Sequence, residues 1–402
     1  MSQTLPPSLF ERNPKKTLFF FTLFLLLAVT GILCLVATAT VRSLDPVVAA
    51  QKAGVEFDTR SRLEMVREAR KEGRQAFPAT LSTYFVGNPL RVGEDDYIPF
   101  GGVAGAETVL CNEAGRWVEF VSDRYGLNNP DEVWEDSRVD YVMTGDSFTY
   151  GQCVAPEEHF VSLLRQGKKI VNLGSGGSGP LLEYASLKEF TRDLEIGYVF
   201  NFYYEGNDLL NLEKEKQSPI LRRYLADDGF SQEVMQNYGK LSPAIAGHVE
   251  GEMAKAKEEK TPEPGCPEKL QRAFFHLLPG IYALFQEMKQ QAAPKQYDLS
   301  LFEEIMAKNK AYALEKHARF VFVYLPDYMG LAGVHSESGK KREEILAIMK
   351  KLEIPVIDMS QVFSAVPDYR SLFHYGLPTG HYNATGYRLL AEAINRYVAS
   401  DR

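Results

Sequence analysis

The sequence predicts an α/β fold around a largely parallel sheet, preceded by one membrane-spanning helix and interrupted by a large insertion. Three observations carry that expectation. From Val139 onward, apolar runs alternate with helical patterns, the texture of βα units around a parallel sheet. Leu18 to Val41 runs without a charge, and at about 1.5 Å per helical residue it spans a hydrocarbon layer of about 30 Å. The interval from Leu212 to Tyr297 exceeds an ordinary crossover and reads as an insertion.

The chain has 402 residues, 45% hydrophobic and 24% charged, too apolar for a disordered polymer and long enough for one large or two ordinary domains. A formal charge of −8 lacks the basic excess that concentrates phosphate backbones, so no nucleic-acid partner is expected. Cys34, Cys111, Cys153 and Cys266 lie too far apart for a paired zinc framework. The histidines are scattered and H-E-x-x-H is absent, so neither a metal nor a cofactor is expected.

In order, residues 1–17 read as a cytoplasmic tail, because Arg12, Lys15 and Lys16 precede the apolar stretch and the basic excess stays inside. Residues 18–41 are the transmembrane helix. A cleaved signal peptide competes, helped by Ala37-Thr38-Ala39, but the stretch exceeds the roughly 7–15 residues of an h-region. Residues 42–75 read as a juxtamembrane helical stalk. Residues 76–138 read as an extension packing on the core, broken by Gly87-Asn88-Pro89, Gly101-Gly102 and Asn128-Asn129-Pro130. Residues 139–399 form the main domain, with strands expected at Val139–Met143, Ile170–Asn172, Tyr198–Phe202, Phe320–Tyr324 and Ile354–Ile357. Helices are expected at Glu157–Arg165, Leu181–Asp193, Leu301–Lys316, Lys341–Leu352 and Ala384–Val398. The insertion, 212–297, leaves the sheet near the strand ends and is expected to shape or cover the site; within it Glu250–Lys269 reads as a solvated segment. Export permits a disulfide, and Cys111 with Cys153 is the expected pair, Cys266 being left over.

Four places carry chemistry. Gly145-Asp146-Ser147 follows the first expected strand, where open α/β sheets hold their ligands, and Ser147 is the candidate nucleophile; a plain strand-to-helix turn is the other reading. Asn172-Leu173-Gly174-Ser175-Gly176-Gly177-Ser178-Gly179 follows the second, and its glycines let backbone N–H groups approach an oxyanion. A flexible turn or a phosphate loop would have the same composition, although neither standard phosphate-loop spacing is present. Glu205-Gly206-Asn207-Asp208 ends the third, where an asparagine donates an N–H or caps a turn. His381 precedes the last helix, as a base for Ser147 or as a structural histidine.

At these four places together the chain resembles the SGNH hydrolase superfamily, also called GDSL esterases and lipases. The resemblance implies a three-layer, flavodoxin-like parallel sheet over roughly Val139 to Val398. It implies Ser147 as nucleophile and first oxyanion donor, Gly177 and Asn207 as the other donors, and His381 as base. Glu205 replaces the first glycine of the family's G-x-N-D block, and Pro378 stands where the family has the aspartate that orients histidine. A backbone carbonyl near Pro378 is the expected substitute, with Asp358 and Asp368 as possible surrogate acids. The expected function is a membrane-anchored serine esterase or O-acyltransferase of the cytoplasmic membrane, its catalytic body extracytoplasmic (periplasmic in a Gram-negative source). Its expected substrate is an acylated carbohydrate, such as O-acetylated cell-surface polysaccharide, or another ester. The alternative is a catalytically impaired carbohydrate-binding or polysaccharide-assembly protein, which Pro378 favours.

Overall fold

The computed structural model describes residues 12–256, 297–336, 339–378 and 380–401. Residues 257–296, with Cys266 and most of the segment read as solvated, lie outside the described residues. The described residues fall into two units. One holds a 30-residue helix, Pro14–Ser43, and the other begins at Ala50 and holds everything that follows. Phe19, Phe20, Phe24, Leu26 and Leu27 on that helix are exposed. The side chains of Thr30 and of residues 33–43 lie outside the description. Among the described residues no helix is long and apolar enough to cross a membrane, so the expected span finds no support there.

The second unit begins differently from the stalk that its charges suggest. The Arg62–Lys71 helix is capped by Ser61, whose Oγ accepts from Glu64 N–H while the Glu64 carboxylate accepts from Ser61 N–H. It buries Val66 and Ala69 in the main core, so this part of the stalk belongs to the body. Strands β1 (Ala76–Pro78), β2 (Leu90–Val92), β3 (Asp95–Tyr97), β4 (Glu107–Cys111) and β5 (Val118–Val121) follow. β4 lies between β1, parallel to it, and β5, antiparallel to it, while β2 and β3 make a separate ribbon.

The central sheet is built from β6 (Arg138–Thr144), β7 (Ile170–Asn172), β8 (Glu195–Tyr204), β9 (Arg319–Leu325) and β10 (Val356–Asp358). Its order is β7-β6-β8-β9-β10 and every pairing is parallel. That is the flavodoxin-like order, with its switch point between the first and third strands. Alternation along a strand divides the core into two faces. Phe320, Phe322 and Tyr324 of β9 join the cluster beneath the helices Pro180–Thr191, Leu299–Glu315 and Arg342–Lys351. Val321, Val323 and Leu325 join the opposite cluster, under Phe160–Leu164, Met359–Ser364 and Ala384–Ser400. The three layers follow from strands that are apolar on both faces.

Two of the boundaries that differ from expectation have a local cause. The helix expected at Glu157–Arg165 is a 3-10 turn followed by Phe160–Leu164, because His159 is extended (φ −71°, ψ 140°) and its ring bonds the Phe148 carbonyl at 2.9 Å. The last strand starts at Val356, since Pro355 has no N–H to give the ladder, although its carbonyl accepts from Phe322.

The described part of the insertion packs on the core. Its helices Pro219–Ala226 and Val234–Ala256 contact the Pro180–Thr191 helix, and the second also contacts β1 and β2. Leu221 and Tyr224 are fully buried in the core, and Tyr238 Oη donates to the Gly102 carbonyl at 2.8 Å. The extension is pinned to the sheet by Asn129, whose Nδ2 donates to the Asn172 carbonyl at 3.0 Å while its Oδ1 accepts from Asn172 N–H at 2.8 Å. Phe322 is fully buried on the central part of the sheet. Phe322→Ala is expected to lower the unfolding free energy by about 3–5 kcal/mol. Urea denaturation reads this as a lower midpoint at unchanged slope; an unaltered midpoint would contradict the assignment of this face as core.

Candidate active site

Four loops at the carboxyl edge of the sheet carry the expected residues. β6 ends at Thr144, and Asp146 caps the turn after it, its Oδ1 accepting from Phe148 N–H at 3.0 Å. This fixes Ser147 at the first position of the turn, 8% exposed. After β7, the glycine loop is tied down by Glu215, whose carboxylate accepts from the N–H groups of Gly179, Leu181 and Leu182 at 2.6, 3.1 and 3.2 Å. Burial pushes the Glu215 carboxyl up to about 7 against those three bonds. Gly177 within this loop has φ +72°, a conformation that L side chains rarely adopt. After β8, Asn207 is the cap residue of the Asp208–Glu215 helix, and its Oδ1 is buried without a hydrogen-bond partner. The three expected oxyanion donors therefore stand after three neighbouring strands.

His381 comes from the segment before the last helix. Asn383 caps that helix by accepting from Thr385 and Gly386 N–H, and its Nδ2 donates to the Ser371 and Phe373 carbonyls, which fixes the segment. The imidazole packs on Phe148, ring centroids 4.8 Å apart, and its Nε2 lies 2.7 Å from Ser147 Oγ.

The group that orients His381 was missed by sequence reasoning. Glu113 Oε1 lies 2.9 Å from His381 Nδ1, and its Oε2 accepts from His381 N–H at 2.8 Å. The same carboxylate thus holds both the ring and the backbone. A carboxylate can only accept, so Nδ1 carries the proton and Nε2 is left to accept from the Ser147 hydroxyl. The backbone carbonyl expected near Pro378 is not the partner of Nδ1. The other two expected acids are engaged elsewhere. Asp358 pairs with Arg342 at 2.5 Å and accepts from Ser360 N–H, because it caps the helix after β10. Asp368 is exposed, capping its own turn and paired with Arg370 at 2.8 Å.

Glu113 sits in the connection between β4 and β5, on a turn closed by Asn112, whose Oδ1 accepts from Gly115 N–H at 2.9 Å. Asn112 Nδ2 donates to the Asp58 carbonyl and Tyr375 Oη to the Ala114 carbonyl, each at 2.8 Å. The expected Cys111–Cys153 disulfide is present, Cα atoms 5.6 Å apart, two residues before Glu113. That pairing was the signal that could have found the acid, since it places residue 113 beside the loop following Ser147.

Burial opposes the Glu113 charge, but attraction to His381 and the two hydrogen bonds from it prevail and hold the carboxyl below its ordinary value. Burial likewise lowers the His381 pKa, and the Glu113 charge and hydrogen bond, helped by Asp146, raise it above the ordinary 6.5. Half-buried His374 nearby is pushed below its ordinary value by burial. Among the described residues, Glu113, Cys153 and His381 bring possible metal-ligand atoms within 4.8 Å of one another. Each is engaged here, the sulfur in a disulfide, the carboxylate on the imidazole and the imidazole on serine. The arrangement has the geometry to pass a proton from the serine hydroxyl to a histidine steadied by a carboxylate.

No family model matches the chain, and no curated protein matches it. It is similar to a solved G-D-S-L-family protein from Desulfitobacterium hafniense DCB-2 described as lipolytic, at 17% identity over 65% of this chain and 99% of that one, TM-score 0.34. A lipase/acylhydrolase from Enterococcus faecalis is 13% identical over 65% of this chain and 96% of that one, TM-score 0.36. An acetyl xylan esterase is 11% identical over 65% of this chain and all (100%) of that one, TM-score 0.36. Likeness of this degree carries no argument about chemistry, which rests on the distances around Ser147.

Gly380 makes the carboxylate's seat. A Cβ there would stand about 2.1–2.2 Å from the Glu113 carboxylate atoms, on a backbone with φ +91°. Gly380→Ala is therefore expected to slow covalent labelling of Ser147 by a fluorophosphonate about 10²-fold, the cost of a misplaced catalytic group. Labelling at the wild-type rate in the folded variant would show that the seat does not matter.

Proposed function

We propose that this protein breaks or transfers ester-linked acyl groups through a serine acyl-enzyme. The observation that supports the reading is the unbroken line Glu113–His381–Ser147, with separations of 2.9 and 2.7 Å. His381 takes the hydroxyl proton as Ser147 Oγ attacks the acyl carbonyl, and Glu113 stabilises the imidazolium that forms. Backbone N–H groups of Ser147 and Gly177 with the Asn207 side-chain amide receive the charge on the carbonyl oxygen. His381 then returns its proton to the departing alkoxide. Water in the second half-reaction completes hydrolysis, and a sugar hydroxyl completes transfer.

The finer reading places the catalytic body outside the cytoplasmic membrane, attached through residues 18–41. The charge-free run, the basic residues before it and a disulfide that suits an oxidising compartment support this. A catalyst fixed to that surface meets polymer-borne esters, so O-acetylated carbohydrate is the substrate class we propose. The non-catalytic alternative drew its support from Pro378, and Glu113 removes that support.

Fluorophosphonate labelling tests the reading directly. The wild-type protein should label, Ser147→Ala should not, and a folded wild type that fails to label would overturn it. The pH dependence has a fixed sign. Neutral His381 is the active form, so kcat/KM on an aryl acetate should rise with pH through a midpoint above 6.5. In Glu113→Gln, burial acts on the imidazole without the compensating charge. The midpoint should move to lower pH and the plateau should fall by about 10³–10⁴-fold. A midpoint that stays or rises would show that Glu113 does not tune His381.

A further inference from the structure

We infer that the Cys111–Cys153 disulfide is a positioning element of the active site, clamping the Glu113 turn against the loop that follows Ser147; this rests on the acyl-transfer reading above. Both bridged residues are close in sequence to reacting groups. Cys111 ends β4, with only Asn112 between it and Glu113, and Cys153 lies six positions after Ser147. The Cys153 sulfur is within 4.8 Å of ligand-type atoms of both Glu113 and His381. Cys111 and Cys153 are 9% and 1% exposed, and they share a small apolar cluster with Ala79, Leu110, Val118 and Tyr150. That cluster is separate from the two large ones that hold the central sheet.

The other ties on the turn are hydrogen bonds: a pair with Asp58, whose carbonyl accepts from Asn112 Nδ2 and whose N–H donates to the Gly115 carbonyl, one from Tyr375, and two from His381 itself. The side chain of Glu113 has to stay within hydrogen-bond reach of a ring whose own position is set from the far end of the chain. A cross-link spanning 42 residues fixes the two loops relative to each other without adding any group to the reaction. Opening it takes two electrons and two protons from a dithiol, which becomes a disulfide as Cys111 and Cys153 become thiols. The turn then keeps its bonds to Asp58 and Tyr375 but loses its covalent stop, and the carboxylate drifts from Nδ1.

The test is a double-mutant comparison on the full chain, using an aryl acetate. Cys111→Ala with Cys153→Ala should lower kcat about 10²-fold with KM little changed. It should also move the acid limb of the profile to lower pH, since His381 then titrates with Asp146 and His374 near it but without a seated Glu113. In a Glu113→Gln background, removing the two cysteines should cost nothing further, because the disulfide acts through the carboxylate. Unchanged kcat and acid limb in a variant that melts cooperatively, or an equal loss in both backgrounds, would overturn the clamp. If the cysteine-free chain does not fold, the native protein reduced to completion by a dithiol gives the same comparison, with alkylated thiols counted by mass spectrometry. Full activity of the reduced, folded protein overturns the proposal. Failure of oxidised wild type to label at Ser147 would instead overturn the acyl-transfer reading.

Discussion

The bond between Glu113 and His381 is the contact on which the candidate site depends. A carboxylate on Nδ1 decides which ring nitrogen is free to accept, and hence whether Ser147 has a base at all. The same carboxylate holds the His381 backbone N–H, so ring and main chain are referred to one point. Everything that locates Glu113 then becomes part of the chemistry. That includes the Asn112 turn, the opening left by Gly380 and the sheet of the extension.

This gives the N-terminal extension a meaning that packing alone does not. Phe77, Phe85, Ile98, Phe100 and Val109 lie in the same apolar cluster as one face of the central sheet. Asn129 meets β7 through paired bonds to Asn172, and Asn128 donates to the Tyr150 carbonyl behind the nucleophile at 2.8 Å. A rigid joint between extension and sheet is what allows a residue on a hairpin turn to face a histidine on another part of the chain. Arg62–Lys71, which reads as part of a stalk, is drawn into that joint because Val66 and Ala69 fall on one helical face.

The sheet was legible in the sequence because buried parallel strands leave a dense local signal. A run such as Phe320 to Tyr324 is apolar on both faces, and turn-forming residues such as Pro326-Asp327 mark where it stops. Ser147, Gly177, Asn207 and His381 were legible as chemistry because each stands just after a strand or before a helix. Glu113 was not, since one glutamate among many in an irregular region carries no local mark, and its partner is 268 positions away. Pro378 drew attention to the place in the sequence where an acid usually stands. What matters is the place in space beside Nδ1, which only the fold reveals. Asp358 and Asp368 were near in sequence, but each was already committed as a helix or turn cap, a use that short acidic side chains adopt locally.

The separation between Glu113 and His381 also has a consequence in time. Translation delivers the Glu113 carboxylate first, then the Ser147 hydroxyl, and the His381 imidazole 234 positions after the serine. Over that interval a growing polypeptide carries the hydroxyl without the imidazole that would accept its proton. The loop that brings the two ends of the line together is also among the longest closures the chain must make, so it is entropically costly and late. A partly made or partly folded form thus lacks the assembled line from Glu113 through His381 to Ser147.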